Sequence, residues 1–527
     1  MRSGRVAAAG LAFAASLLIA APAFAAATVP GPVRLRVGVV GPIGALDPAR
    51  ATTQAAREID ALQYASLTTF SLYPLHVAPG LAATWTATGD GSSFVYTLRA
   101  ATWSDGSPVT AGDVVASLDR ARDEKWPVAA GRLDGITAVA RGRAVVEVTR
   151  SGAAGPLPSL PVPVVPARQT APPGTPGALG SGDWVVAEQR ADSVRMVVVN
   201  RPGRPVLDEI TFRSYRDSDA LEDAIARGDV DIAAGIRASR YRALQDTAGV
   251  TAIHANDGDQ WVLRLAATDA TVRHAISRAV DRDALVQTLA RGVGRAQVVP
   301  IVARAEEWAL PSDQADALDT SLAYDVAATR AYGERAPHSK LTLATPDDAT
   351  GTAIGRELTR QLAAAGITLV PVTNGARADV TLVRREPGDD PTVALAPYTC
   401  AGGVWCDATF DASFARLTTD ADVEARHDAV HAMVQRIAEQ AVEVVLFAPD
   451  ELQAYRTDRV TGMLAEPADQ RLVVFWPSIE QYRAIHAAPL RGAEELPGTT
   501  YAALALSGAA VIAVAVFVVD RIVHARR

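Results

Sequence analysis

Lysine is almost missing from this chain of 527 residues: Lys125 and Lys340 are the only two, and arginine carries the rest of the positive charge. That bias says little about function, but the charge balance does. The formal net charge is -8, and no run of five like charges occurs anywhere. This argues against a nucleic-acid partner, because neutralising phosphates needs a basic face. Polybasic and acidic tails are missing as well. Aromatic residues are sparse at 6%. Neither G-x-S-x-G, nor H-E-x-x-H, nor a phosphate-cradling glycine loop occurs, so catalysis has no motif to rest on and no cofactor is expected. No cysteine lies near the N-terminus, which removes lipoprotein acylation as a tether.

What is present belongs to a large folded protein. Hydrophobic residues make up 49% and charged residues 21%, ample for a sizeable core, and the length suggests two or three lobes. Arg2 and Arg5 precede an apolar run from Val6 to Ala21 and then Ala23-Phe24-Ala25. This charged, apolar, small-residue order predicts a secretory signal peptide over 1–25. Near the other end, Tyr501 to Val519 is apolar, with Ser507 its one clearly polar side chain. As a helix it would span about 28 Å, close to the ~30 Å hydrocarbon core. Asp520, Arg521, His524, Arg526 and Arg527 follow, and arginine beyond a span predicts a cytoplasmic tail at 520–527. Signal and span together place the folded mass outside the cell.

Cys400 and Cys406 are the only cysteines. In an exported protein they predict a disulfide, worth about 2 kcal/mol for so short a loop. A zinc site would have to recruit His427 and His431, one turn apart with Glu424 a turn earlier, but the cysteine spacing is wide for zinc; no metal is expected.

Short alternating runs alternate with helical ones. Strands are predicted at Val33–Val40, Phe94–Arg99, Ala144–Val148, Arg195–Asn200, Leu207–Arg213, Trp261–Leu265, Leu341–Leu343, Ile367–Val372 and Ala378–Val383. Helices are predicted at Thr53–Ser66, Ala111–Arg122 with Thr110 as N-cap, Ser218–Arg227 stopped by Gly228, Val272–Leu289, Ala353–Ala365 and Val423–Ala438. The stretch from Gly155 to Gly182 reads as loop, and 486–500 as a Pro/Gly/Glu linker. This order predicts an α/β fold.

The order of motifs resembles the dipeptide, oligopeptide and nickel-binding branch of the extracytoplasmic solute-binding proteins that serve ABC importers. Its densest part runs from Pro79-Gly80-Leu81-Ala82-Ala83-Thr84-Trp85, through Tyr96-Thr97-Leu98-Arg99, to Trp103-Ser104-Asp105-Gly106-Ser107-Pro108 and Thr110-Ala111-Gly112-Asp113-Val114. Leu46-Asp47-Pro48, Val272-Arg273-His274-Ala275-Ile276, Ala279-Val280-Asp281-Arg282 and Tyr324-Asp325 fit in sequence, and Cys400 to Cys406 resembles a short disulfide loop of some members. Gly180-Ser181-Gly182-Asp183-Trp184 departs from the family's "GTGPY", with the proline lost and tryptophan for tyrosine.

The resemblance implies a two-lobed periplasmic-binding-protein-like clamp with an extra small subdomain. The first lobe takes 33–262, the second 263–450, and 451–485 returns to the first. Candidate hinge crossings lie near Trp261–Leu265 and Val444–Phe447. ABC permease subunits are the implied partners; a membrane-fixed ligand sensor without transport is the alternative. Peptide-binding relatives hold the ligand's α-ammonium with an aspartate in the loop that is here Arg384-Arg385-Glu386-Pro387-Gly388-Asp389-Asp390-Pro391. Asp390-Pro391 matches, but the aspartate upstream is displaced, leaving Glu386 or Asp389 to substitute, or else a solvated acidic turn. A buried ammonium needs such a carboxylate, or its desolvation is uncompensated. Tyr64, Trp184, Trp261 and Trp405 are the aromatic candidates for the pocket wall, with core packing as the alternative for each. Asp105-Gly106 reads as a tight turn, Asp113 as a cap, and Arg273 and Asp281 as structural polar groups.

Overall fold

The computed structural model describes residues 32–70, 77–88, 93–129, 133–151, 160–168, 171–255, 258–265, 269–303, 308–333, 340–373, 378–387, 391–420, 422–462, 482–483 and 485–488. Within Val33–Ala488, which forms one compact unit, three sheets carry the architecture. The largest has seven strands in the order Val250–Ala255, Glu451–Arg456, Ile232–Ile236, Arg34–Val40, Glu209–Tyr215, Ser193–Val198, Trp184–Gln189. Arg34–Val40 lies parallel to both its neighbours. A second sheet has six strands: Gly294–Ala296, Glu443–Pro449, Gln260–Leu265, Val380–Arg385, Lys340–Ala344, Thr368–Val372. The third is an antiparallel group of four, Ala82–Ala87, Ser93–Leu98, Val145–Arg150 and Ile136–Ala140.

Each sheet has its own core. Leu35, Val37, Ile210, Phe212 and Trp184 pack under the seven-stranded sheet with the helix Gln54–Gln63. Leu263, Leu343, Leu382 and Leu446 pack with the helix Ala349–Ala364 in the six-stranded one. The four-stranded sheet is closed by Val114 and Leu118 of the helix Ala111–Asp123. That helix starts where the sequence placed it, with a reciprocal cap. Thr110 Oγ1 accepts from the Asp113 N–H, and the Asp113 carboxylate accepts from the Thr110 N–H at 2.9 Å. Ser218–Arg227 likewise ends at Gly228 (φ 82°), the left-handed stop that glycine adopts without a Cβ clash.

One expected helix changes. The continuous helix over Val272–Leu289 is broken into Ala270–Ala279 and Arg282–Leu289. Asp281 has left the helix to cap the second piece, accepting from the Ala284 N–H at 2.9 Å. Arg282 turns inward and donates to the carbonyls of Val445 and Ser277. Arg273 and Asp281 are both structural, but in separate places. Arg273 donates to the Gln440 carbonyl at 2.8 Å, while the Asp281 N–H bonds Gln361. Within Gly180-Ser181-Gly182, the glycine that matches the family pattern at 182 has a packing reason, since a Cβ there would stand 2.1 Å from the Leu62 carbonyl oxygen.

Among the described residues no helix is long and apolar enough to cross a membrane. The expected span at Tyr501–Val519, the signal segment 1–25 and most of the linker 486–500 lie outside the described residues.

Candidate ligand site at the strand ends

Parallel strands present their carboxyl ends to one edge of a sheet, and in open α/β sheets ligands bind at that edge. The seven-stranded sheet directs Val40, Tyr215 and Ile236 there, with Glu451 opening the antiparallel strand alongside. In the six-stranded sheet the matching edge holds Ala344, Val372, Arg385 and Pro449, with Gln260 paired opposite Arg385. The chain passes between the two sheets at these edges and nowhere else among the described residues. It leaves the first after Ala255 and enters the second at Gln260, then returns through Asp450 alone, between Pro449 and Glu451. Both carboxyl edges therefore meet at the two crossings.

Charged side chains tie the crossings together. His254 Nδ1 lies 2.7 Å from Asp450 Oδ2, and the Tyr241 ring stands perpendicular to the imidazole with centroids 4.9 Å apart. Arg384, on the six-stranded sheet, donates through Nε to Asp259 Oδ2 at 2.8 Å, with its Nη2 in ion-pair contact with the same oxygen at 2.7 Å, and donates through Nη2 to Glu451 Oε1 at 3.1 Å. Asp259 is 2% exposed. The next residue, Arg385, is buried and donates to Glu443 and to Gln260, and the Tyr398 hydroxyl donates to Glu443. Burial, reinforced by the Glu443 charge, raises the Tyr398 hydroxyl well above its ordinary range, so it stays a donor. Gln260 in turn pins the neighbouring segment, donating to the Val299 carbonyl at 2.9 Å and accepting from the Ile301 N–H at 2.8 Å. The buried layer thus fixes the second sheet internally, and the outer layer of Arg384, Asp259, Glu451, His254 and Asp450 spans the joint.

The residues expected at a pocket scatter. Glu386 is exposed and directly follows Arg385 at the carboxyl edge; Asp389 and Asp390 lie outside the described residues. Trp184 is fully buried, its indole N–H donating to the Leu207 carbonyl at 3.2 Å and its ring edge-on to Tyr482. Tyr64 is 1% exposed, its hydroxyl accepting from the Gly174 N–H at 3.0 Å. Trp261 belongs to the core of the six-stranded sheet. These three rings are taken up by packing. Trp405 is partly buried, edge-on to Phe410, inside the loop closed by the Cys400–Cys406 disulfide. His427 packs edge-on against Trp308 at 4.7 Å, and no cluster of three His, Cys, Asp or Glu that could hold a metal ion occurs among the described residues.

The sequence reading missed Asp259, Arg384, Asp450 and Glu451 as a group. The available signal was the acid pair Asp450-Glu451 interrupting two apolar runs, where a strand that should continue changes sheets. A cavity of about 490 Å³ lies elsewhere, beside the helix Ala111–Asp123, and is lined by Ala116, Ser117, Arg120, Val165 and prolines 166, 172 and 173. Its single guanidinium already donates to Glu124 at 3.0 Å. With so few polar groups to orient a solute, it is a weaker candidate than the strand ends.

A family model described as the middle part of the bacterial extracellular solute-binding proteins, family 5, matches residues 76–385. A Brucella ovis protein named "Putative ABC transporter peptide-binding protein" is 26% identical over 318 residues, covering 54% of this chain; the chain spans 57% of that relative's length. Two solved structures share the fold. The ABC transporter substrate-binding protein CtaP of Listeria monocytogenes matches with a TM-score of 0.71 at 18% identity, over 87% of this chain and all of that one. NikA of Brucella suis, in complex with Fe(III)-EDTA, matches with a TM-score of 0.69 at 19% identity, over 86% and 100%. The fold is therefore the two-lobed α/β fold of periplasmic binding proteins. With its family model matched over more than half of its length, the chain belongs to the bacterial extracellular solute-binding proteins, family 5.

Proposed function

We propose that this chain is the solute-binding receptor of an ABC importer, that it takes short peptides or similar small solutes, and that it works by hinged closure. The observation that carries this reading is the meeting of two carboxyl sheet edges at two short crossings, in a chain of this family. In the proposal the seven- and six-stranded sheets are the cores of two lobes, and the two crossings, one after Ala255 and one at Asp450, are the hinge. A solute that touches both edges binds the closed arrangement better than the open one, and that difference drives closure. A permease in the membrane then recognises the closed form. Glu386, exposed at the edge, is the proposed acceptor for a ligand ammonium, with Asp389 and Asp390 in the same loop. The signal segment and the apolar run Tyr501–Val519 support an extracytoplasmic receptor held to the cell membrane at its tail.

The test uses the full chain in detergent. A mixture of di- to pentapeptides, and separately a nickel–histidine chelate, is added during thermal unfolding. One of them is expected to raise the melting temperature, by about 2.7 kcal/mol of added stability at a hundredfold excess over Kd. No shift with either, and no small molecule released from the purified protein in mass spectrometry, would count against a receptor for these solutes.

A further inference from the structure

We infer that Arg384 and Glu451 form the strut that sets the angle between the two sheets, which makes Arg384 a positioning residue for solute capture. The inference rests on the hinged reading above. It starts from where each partner is anchored. Arg384 stands in register with Trp261 inside the six-stranded sheet, and Asp259, almost wholly buried at the entrance to that sheet, holds its guanidinium through both Nε and Nη2. A planar fork gripped on one side by a buried carboxylate has little freedom to follow a moving partner. Glu451 belongs to the other sheet, paired there with Ala255. The Arg384–Glu451 contact at 3.1 Å is therefore made between bodies that a hinge motion separates, whereas Arg384–Asp259 is made within one.

The pair is also adjustable. The side chains of Arg384 and Glu451 are 41% and 25% exposed, so water can replace either partner. A contact of this kind is worth little to global stability, and a contribution that small is the right size to bias two arrangements without locking one. The second tie, His254 to Asp450, joins one crossing to the other and does not reach the six-stranded sheet beyond them. Arg384 alone, among the described residues of the outer layer, reaches from the body of one sheet to the strand of the other.

The experiment measures inter-sheet distances by double electron–electron resonance on the full chain in detergent. Spin labels go on V206C and V423C, both exposed, one on each side of the joint. The two native cysteines are tied up in the disulfide and do not compete for label. At low salt, E451Q is expected to change the ratio of distance populations about two- to fivefold. Wild type at about 1 M NaCl should move the same way, because salt screens exposed pairs, while E451Q should ignore salt. R384Q should shift the populations too, and should also unfold more easily because Asp259 loses its grip; if it fails to fold, E451Q decides. An E451Q distribution that overlays wild type would overturn the strut while the peptide or chelate still moves wild-type distances. One narrow distance in wild type, unmoved by salt or by either probe, would bring down the hinge and the strut together.

Discussion

The two large sheets and the joint between them treat buried acids differently. In the seven-stranded sheet, Asp231 is 0% exposed and accepts from the Arg36 N–H and guanidinium and from Arg459, at 2.7–3.1 Å. The six-stranded sheet repeats the plan with Glu443, 2% exposed, which meets Arg385, Arg264 and the Tyr398 hydroxyl. Each acid ties its own sheet, and each has more donors than one contact could lose. At the joint, the partly exposed Arg384 meets both Asp259 and Glu451, and Asp450 meets the partly exposed His254. Fully buried ties make a body rigid, and partly solvated ties leave a joint that can move.

That contrast can be broken from its strong side. Asp231→Ala should cost about 3–5 kcal/mol, because it strands Arg459, whose side chain is 9% exposed, beside a second guanidinium. Glu443→Gln should cost less, about 1.5–3 kcal/mol, since the amide oxygen still accepts one bond while Arg385 stays buried beside it. Urea denaturation reads both. Neither substitution should redistribute the inter-sheet distances in molecules that remain folded. A framework variant that shifts those distances as E451Q is expected to would erase the distinction between body and joint.

Much of the framework was legible in the sequence because local chemistry announced it. Thr110 and Asp113 mark a helix start, Gly228 marks a stop, and the alternation of Phe94–Arg99 marks a strand. Short apolar strands gave no such signal: Ile232–Ile236 has no alternation, and Val250–Ala255 shows only in its pairing with Glu451–Arg456. Asp281 shows how one residue misleads, since its cap is visible only once the helix is known to break there. The joint was the least legible part. Arg384 meets Asp259 across 125 residues and Glu451 across 67, and only the strand register brings them together. Tyr64, Trp184 and Trp261 were attractive as aromatics and turned out to be core, because a large ring contributes most where it is fully buried.

The last prediction sharpens the comparison with a buried acid that has no arginine partner among the described residues. Asp60, on the helix covering the seven-stranded sheet, is 2% exposed, and neither carboxylate oxygen has a hydrogen-bond partner among the described residues. Burial raises its pKa well above the usual carboxylate range, and the charge of Asp47 adds to the effect. The folded protein thus keeps a proton that the unfolded chain releases near pH 4. Its contribution is fully present below that pH and is lost as pH rises through the folded value. Asp60→Asn has no proton to release. Its melting temperature relative to wild type should therefore be near zero or negative at pH 4 and climb to a positive difference by pH 8. Glu58, also buried but receiving the Tyr482 hydroxyl, shifts in the same direction, and Glu58→Gln should show the same sign. A difference independent of pH would mean that Asp60 is ionised in the fold, and that an acid buried in this sheet needs no arginine to stay charged.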